Sequence, residues 1–371
     1  MKLSLQSAPG LRLLMTVDAV GGVWRYAMDL AAALRLSGIE TVFAGFGPRP
    51  SDRQSREAEE IGRLVWCEAP LDWMVEQEEE LQPVPAILRD LVRQERVDLL
   101  HLNLPSQAVD LDLPVPVVVV SHSCVGSWFR AVRGQDVPSA WRWQMERNAR
   151  GFAAADLVLS PSRSHAELLR RVYGPIARLE VVCNASPVPP SSGDRQDMVF
   201  AAGRWWDEGK NGAVLDAAAA ETVWPVVMAG ATLGPNGQHL ALRHAQGRAE
   251  MSHGDVLDHM RRAAIFVSPS LYEPFGLAAL EAARCGCALV LADIATYREL
   301  WEGAALFADP REPSAFAGAI NRLAGDAGLR RHLAVRALEA SKRFTVEAQS
   351  GALVDLYRRL LSSTPVLGAA E

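Results

Sequence analysis

The sequence has no basic N-terminal start followed by a long apolar run. Its nearest approach, Leu11 to Val17, is too short to cross a bilayer and reads as a strand, so the chain is expected to stay in the cytoplasm. Cysteine is scarce. The five that occur (Cys67, Cys124, Cys183, Cys285, Cys287) are odd in number and scattered, which argues against a disulfide framework and suits reduced thiols packed as small apolar residues. Charge of one sign is not in large excess: a net charge of −6 over 371 residues sets up no global field for DNA or RNA, and general nucleic-acid binding is not expected. No Asp-x-Asp pair directly follows the carboxyl end of a predicted strand to hold a diphosphate through a metal, and no solenoid period is visible.

What is present is an apolar share of 49% and a charged share of 22%, in a chain long enough for two domains with separate cores. Short Val, Leu and Ile runs alternate with longer segments of helical period, the pattern of parallel strands buried on both faces. The first series predicts strands at Leu11 to Val17, Thr41 to Gly45, Asp98 to Leu102, Val115 to Ser121, Leu157 to Ser160 and Leu179 to Val182. The second predicts them at Met198 to Ala202, Val226 to Ala229, Ile265 to Ser268, Ala288 to Ala292 and Ala305 to Phe307. Between the two series, 185–196 is rich in Pro, Ser and Gly and reads as a boundary. The fold class is α/β, with two Rossmann-like, doubly wound domains facing a cleft: 1–185, then 186–345, with 346–371 a terminal helix and tail. The acidic run Glu76 to Glu80 reads as a solvated helix face.

Chemistry concentrates in the second series. Ile265 to Glu281 reads strand, loop, helix, and its loop falls at the carboxyl edge of the sheet, where open α/β sheets bind ligands. The new helix points free N–H groups and a positive dipole end into the crevice. Pro274 suits the first helical position and Gly276 permits close approach, so Phe275, Gly276 and Leu277 form an anion cradle. Glu273 lies in the loop and Glu281 about two turns into the helix, placed to reach opposite ends of one extended ligand. Met198 to Asn211 is a strand followed by Gly203, Arg204 and, six residues on, Lys210, two cations suited to a diphosphate without a metal.

These segments resemble the retaining glycosyltransferases of the GT-B fold, family 4, whose signature is two glutamates seven residues apart with Pro-Phe-Gly after the first. The resemblance implies that Glu273 contacts the donor sugar at the reaction centre, that Glu281 binds the ribose hydroxyls, and that Arg204 and Lys210 bind the donor phosphates. It further implies that the end segment, with Leu353, Leu356, Tyr357 and Leu360 at helical spacing, packs back on the first domain. The base is held in this family near the segment Gly247 to Leu257, which makes Met251 a candidate for the base pocket. Ala249 stands near where the family usually has glycine, which leaves the base open, with a UDP-sugar favoured as donor.

On the first domain, Asp18 to Val23 with its paired Gly21 and Gly22 resembles the family's glycine loop over the donor phosphate, the plain alternative being an α/β turn. His122, after an apolar strand, matches the family's histidine near the donor sugar and is read as a positioning or electrostatic group. Gly126 to Arg150 is dense in aromatics and arginines. Trp128, Arg133 and Trp141 are read as the acceptor wall, with a peripheral membrane contact as the second reading. The expected activity is retaining, metal-independent transfer of a hexose from a nucleoside diphosphate sugar to a sugar, lipid or small-molecule acceptor, with no cofactor. The alternatives are an epimerase or phosphorylase on the same architecture and a non-catalytic nucleotide-sugar-binding protein.

Overall fold

The computed structural model describes residues 10–191, 193–234 and 237–363. Residues 1–9, Ser192 in the expected boundary and the expected tail at 364–371 lie outside them. The first domain runs β1 (Arg12–Asp18), α1 (Gly22–Leu36), β2 (Glu40–Phe46), α2 (Asp52–Ile61), β3 (Arg63–Trp66), α3 (Pro83–Glu95) and β4 (Leu99–Leu102). It continues through β5 (Val117–Val120), α4 (Val125–Trp128), α5 (Arg142–Ala154), β6 (Leu157–Ser160), α6 (Arg163–Tyr173) and β7 (Leu179–Val181). The second runs β8 (Gln196–Ala202), α7 (Gly212–Ala219), β9 (Val226–Ala229), β10 (Gln246–Arg248), α8 (His253–Arg262) and β11 (Ala263–Ser268). After these come α9 (Leu277–Arg284), β12 (Ala288–Ala292), α10 (Ala295–Trp301), β13 (Ala305–Ala308), α11 (Pro313–Gly325), α12 (Ala327–Ser341) and α13 (Val346–Ser363).

Among the described residues the sheets have strand orders β3-β2-β1-β4-β5-β6-β7 and β10-β9-β8-β11-β12-β13, and neighbouring strands pair in parallel. The central strands are apolar on both faces because helices cover both. Leu13 and Met15 of β1 pack with α1 and α13, whereas Leu14 packs with α3 on the other side. The two strands that the sequence pattern did not predict, β3 and β10, are both sheet edges. Gln246, Gly247 and Arg248 of β10 are exposed, so there is no apolar run to read. In each sheet the strand order reverses beside the strand that starts the domain, at β1 and β4 and at β8 and β11. The crevices of both sheets open there.

Cys285 and Cys287 are buried, and the Cys287 thiol donates to the Met260 carbonyl at 3.0 Å while burial pushes it up to about 12, so this pair is packing. Among the described residues no helix is long and apolar enough to cross a membrane.

Helix α13 follows the second domain in sequence but completes the core of the first, where Leu353, Val354, Leu356 and Tyr357 join the cluster of Leu13, Met15 and Val17. Its anchor is polar as well as apolar. The Tyr357 hydroxyl lies 2.6 Å from His101 Nδ1, and His101 Nε2 lies 3.1 Å from the Tyr26 hydroxyl. His101 is wholly buried, and burial pushes it down to about 3, so a neutral imidazole uses one nitrogen as donor and the other as acceptor. Tyr357→Phe removes one partner and strands a ring nitrogen in the core. It is expected to cost about 1–3 kcal/mol of unfolding free energy in urea titrations; an unchanged midpoint would show that the contact carries no stability.

Candidate functional site

The loops that leave β8 and β11 are stitched together. The Asp207 carboxylate accepts from the Gly209 amide at 2.9 Å and shapes a short turn, and the Gly209 carbonyl accepts from Leu271 at 2.9 Å and Tyr272 at 3.3 Å. Asn211, at φ +56°, donates through Nδ2 to the carbonyls of Pro269 and Pro310. This frame sets Lys210 Nζ 2.6 Å from Glu273 Oε2, with both side chains largely withdrawn from solvent. Gly276 is at φ +93°, and a Cβ there would stand 2.8 Å from the Tyr297 ring, so glycine is required on both counts. Helix α9 begins at Leu277, three residues beyond Pro274, so the proline belongs to the loop. Glu281 is consequently only just over one turn into the helix, nearer its positive end than the two turns expected, and it is buried.

The first domain brings a second helix end to the same place. A Cβ on Gly22, the first residue of α1, would lie 4.0 Å from Leu277, the first residue of α9. Neither helix has a side-chain cap or an acidic residue in its first turn, so both present unneutralised N–H groups. Arg204 joins them: its Nη1 is 3.3 Å from the Val20 carbonyl, and it lies so near Gly21 that a Cβ there would meet it at 2.7 Å. Gly21 is at φ +100°. Two helix N-termini, Arg204 and Lys210 thus make one positive focus between the domains, the arrangement that binds phosphate. Asp18, at the end of β1, is buried beneath it. Burial raises its carboxyl from the ordinary 3.8 to about 6, against the Val20 amide, which donates to it at 2.9 Å, and the field of Arg204; nearby Asp72 raises it further.

His122 lies two residues past β5. Asn103 fixes its tautomer: Asn103 Nδ2 donates to the Thr16 carbonyl at 2.6 Å, which turns Oδ1 toward His122 Nε2 at 2.8 Å. The Nε2 proton is therefore committed to Asn103 and the lone pair is on Nδ1. Burial, together with His101 and His165, pushes the imidazole down to about 3, so it is neutral at physiological pH. The Tyr26 ring holds its edge, with centroids 4.4 Å apart.

Midway along α9, Glu281 Oε1 is 2.8 Å from Nε2 of His253, the first residue of α8. Across the cleft, α1 presents Arg25 and Asp29, paired at 2.6 Å, with Arg25 also bound to Glu57 of α2. Met251, two residues before His253, is half-buried against the second core.

The Trp and Arg segment makes contacts across the domain junction. Trp128 Nε1 donates to Asp207 at 3.1 Å, and the Arg133 guanidinium pairs with Glu208 at 2.8 Å while lying over the rings of Trp128 and Phe129. Both clasp the phosphate-side loop of the second domain. Trp141 is 40% exposed and meets Phe129 edge-on. Arg147 is buried and Arg150 exposed, and both pair with Glu78. The acidic run is therefore a structural partner at Glu78 and not only a solvated face.

Two family models match this chain, one on each domain: Glycosyltransferase Family 4 over 20–186 and Glycosyl transferases group 1 over 238–339. The chain belongs to glycosyltransferase family 4. A D-inositol 3-phosphate glycosyltransferase of Xylanimonas cellulosilytica is 29% identical to it over 285 residues, 68% of each protein. Among solved structures, sucrose-phosphate synthase from Thermosynechococcus elongatus superposes with a TM-score of 0.81 at 19% identity, covering 95% of this chain and all of that one. Anabaena HepE in complex with UDP-glucose gives 0.75 at 17% identity, over 94% of this chain and all of that one. These likenesses establish the GT-B fold.

In this transferase the predicted residues Gly21, Gly22, Arg204, Lys210, Glu273, Gly276 and Leu277 come together at the domain junction, His122 lines the first domain's side of the crevice, and the Phe275 side chain turns into the second core against Phe344. Asp18, Asn103, Tyr26 and His253 were not singled out from the sequence. Two of them lay inside segments that had been read, Asp18 at the head of the glycine loop and His253 in the segment for the base pocket. The raised Asp18 pKa has a measurable consequence. Between pH 3.8 and about 6 the folded protein holds a proton that the unfolded chain has released, so this group lowers stability as pH rises through that window. Asp18→Asn keeps an acceptor for the Val20 amide and is expected to stabilise the fold by about 1–3 kcal/mol at neutral pH, with the gain fading below about pH 4. Thermal melts of both proteins at the two pH values check this; equal midpoints at neutral pH would refute it.

Proposed function

We propose that this glycosyltransferase is a retaining, metal-independent enzyme that transfers a hexose from a nucleoside diphosphate sugar, with UDP-sugars the first donors to test. The observation that carries the reading is the positive focus where α1, α9, Arg204 and Lys210 meet. It supplies to a departing diphosphate the charge that a metal otherwise would. HepE, a neighbour in fold, is described in complex with UDP-glucose, which supports the donor class. D-inositol 3-phosphate, carried in the name of the relative above, is the first acceptor to screen.

In this reading Glu273, held by Lys210, orients the hydroxyls of the transferred sugar, and Glu281 takes the ribose. The bond from the anomeric carbon to the phosphate oxygen breaks while the acceptor oxygen bonds to that carbon from the same face. The acceptor proton passes to the leaving phosphate oxygen. His122, neutral and with its Nε2 proton bound to Asn103, serves as a hydrogen-bond acceptor through Nδ1 and not as a titrating base. Arg204 and Lys210 are stronger partners for the diphosphate as charge moves onto it, which is where electrostatic preorganisation lowers a barrier.

The two glutamates separate in experiment because a ribose contact exists in donor and product alike, whereas a contact to the hexose matters only while the hexose is present. Glu281→Ala is expected to weaken the nucleoside diphosphate by about 1–3 kcal/mol in calorimetry. Glu273→Ala leaves that affinity nearly unchanged and lowers turnover on the order of 100-fold. Equal weakening by both, or full turnover in Glu273→Ala, would overturn the assignment.

Chelation gives an independent check. Donor turnover is expected to persist in EDTA, and a rate abolished by EDTA and restored by manganese would replace this mechanism with a metal-held one.

A further inference from the structure

Resting on the reading of Glu281 as the ribose ligand, we propose that His253 is the positioning residue of the ribose end of the donor site, holding the Glu281 carboxylate in the orientation that accepts the sugar diol. Glu281 is 6% exposed, and a buried carboxylate needs donors to stay ionised and fixed in plane. Its nearest donor is His253 Nε2, at 2.8 Å from Oε1. The position of that ring is set by the start of α8, where Ser252 caps the helix through the Asp255 amide. One bond to Oε1 leaves Oε2 for one ribose hydroxyl and the second lone pair of Oε1 for the other. Without the imidazole the carboxylate is free to turn about its terminal torsion, which is broad and soft.

The charges around the pair say which form of His253 serves. Glu281 on α9 and Glu57 on α2 lie near one guanidinium, Arg25, together with Asp29 on α1, whose carboxyl burial raises to about 6, so that the negative charge is in full excess above that pH. On its own helix His253 is followed by Asp255, whose carboxylate takes the Ser252 hydroxyl. An imidazolium relieves an unbalanced negative charge, and the hydrogen bond to Glu281 raises His253 above its ordinary value, helped by Asp29 and opposed by burial and Arg25. The sign follows: the charged form is present at low pH and is lost as pH rises through the raised pKa, and the hold on Glu281 weakens with it. Because Arg25 and Asp29 belong to the first domain, the same cluster makes the ribose grip sensitive to whether α1 is docked against the second domain.

The test uses the full chain and calorimetry. UDP, GDP and ADP are compared, and the tightest is then measured with its 2′-deoxy analogue against wild type, His253→Gln, His253→Asn, Glu281→Ala and the His253→Gln, Glu281→Ala double variant. Wild type is expected to prefer the ribonucleotide. In His253→Gln and His253→Asn the ribonucleotide is expected to bind roughly tenfold more weakly and the preference to shrink. In the double variant His253→Gln adds nothing to Glu281→Ala, because its effect runs through that carboxylate. The ratio of wild-type to His253→Gln affinity is expected to be larger at about pH 6 than at about pH 8.5, a comparison in which the ionisation of the nucleotide cancels. If neither His253 variant changes ribonucleotide affinity while Glu281→Ala does, or if the losses add in the double variant, the role of His253 is overturned. If no diphosphate binds, or Glu281→Ala binds as tightly as wild type with no ribose preference, the ribose reading itself fails.

Discussion

Like charges gathered at one point repel, and the donor site is organised around that constraint. Two helix N-termini, Arg204 and Lys210 converge where the domains meet, and the two side chains each have a local counterpart. Lys210 has Glu273 at 2.6 Å, and Arg204 has the Val20 carbonyl at 3.3 Å and Asp207 at 3.8 Å. These partners are not interchangeable with bulk solvent. The glycines at positions 21 and 276, both at positive φ, let backbone come close enough to serve, and the same closeness admits a phosphate.

How much of this was legible in the sequence follows from which forces leave a local trace. Burial on both faces writes a continuous apolar run, so β1, β5, β11 and β12 were readable. The edge strand β10 lacks that run and β3 carries only the three apolar residues Leu64 to Trp66, and neither was read. The loops carrying Arg204, Lys210, Glu273 and Gly276 were readable because each is a compact motif between a strand and a helix. Pair partners drawn from distant elements leave no such mark: His101 meets a tyrosine from α1 and another from α13, residues 75 and 256 positions away. Asp18 likewise becomes unusual only through burial in the folded protein and the nearness of Asp72, 54 positions away in sequence. Trp128 and Arg133 show the converse. Their composition suggested a sugar-binding wall, and their partners Asp207 and Glu208, which lie on the other domain, left no trace near them in the sequence.

The junction between domains is held mainly by polar contacts, and that choice bears on function. Ser127 meets the Tyr272 hydroxyl at 2.7 Å, Ser162 donates to the Pro274 carbonyl at 2.7 Å, and Glu299 accepts from the backbone amides of Arg163 and Ser164, capping α6 from across the boundary. An apolar interface of this extent resists opening because water cannot replace what is lost, whereas hydroxyls, carbonyls and a carboxylate exchange protein partners for water at modest net cost. Helix α13 behaves in the opposite way. Its anchor is Leu353, Leu356 and Tyr357 inside the first core, so it stays with that domain whatever the second does. Relative motion then falls to the two strands of chain that cross between domains near Ser186 and Phe344, which are joined there by a single backbone bond of 3.4 Å. The contacts across the junction are therefore ones that solvent can satisfy, whereas the apolar cores on either side of it are each closed within one domain.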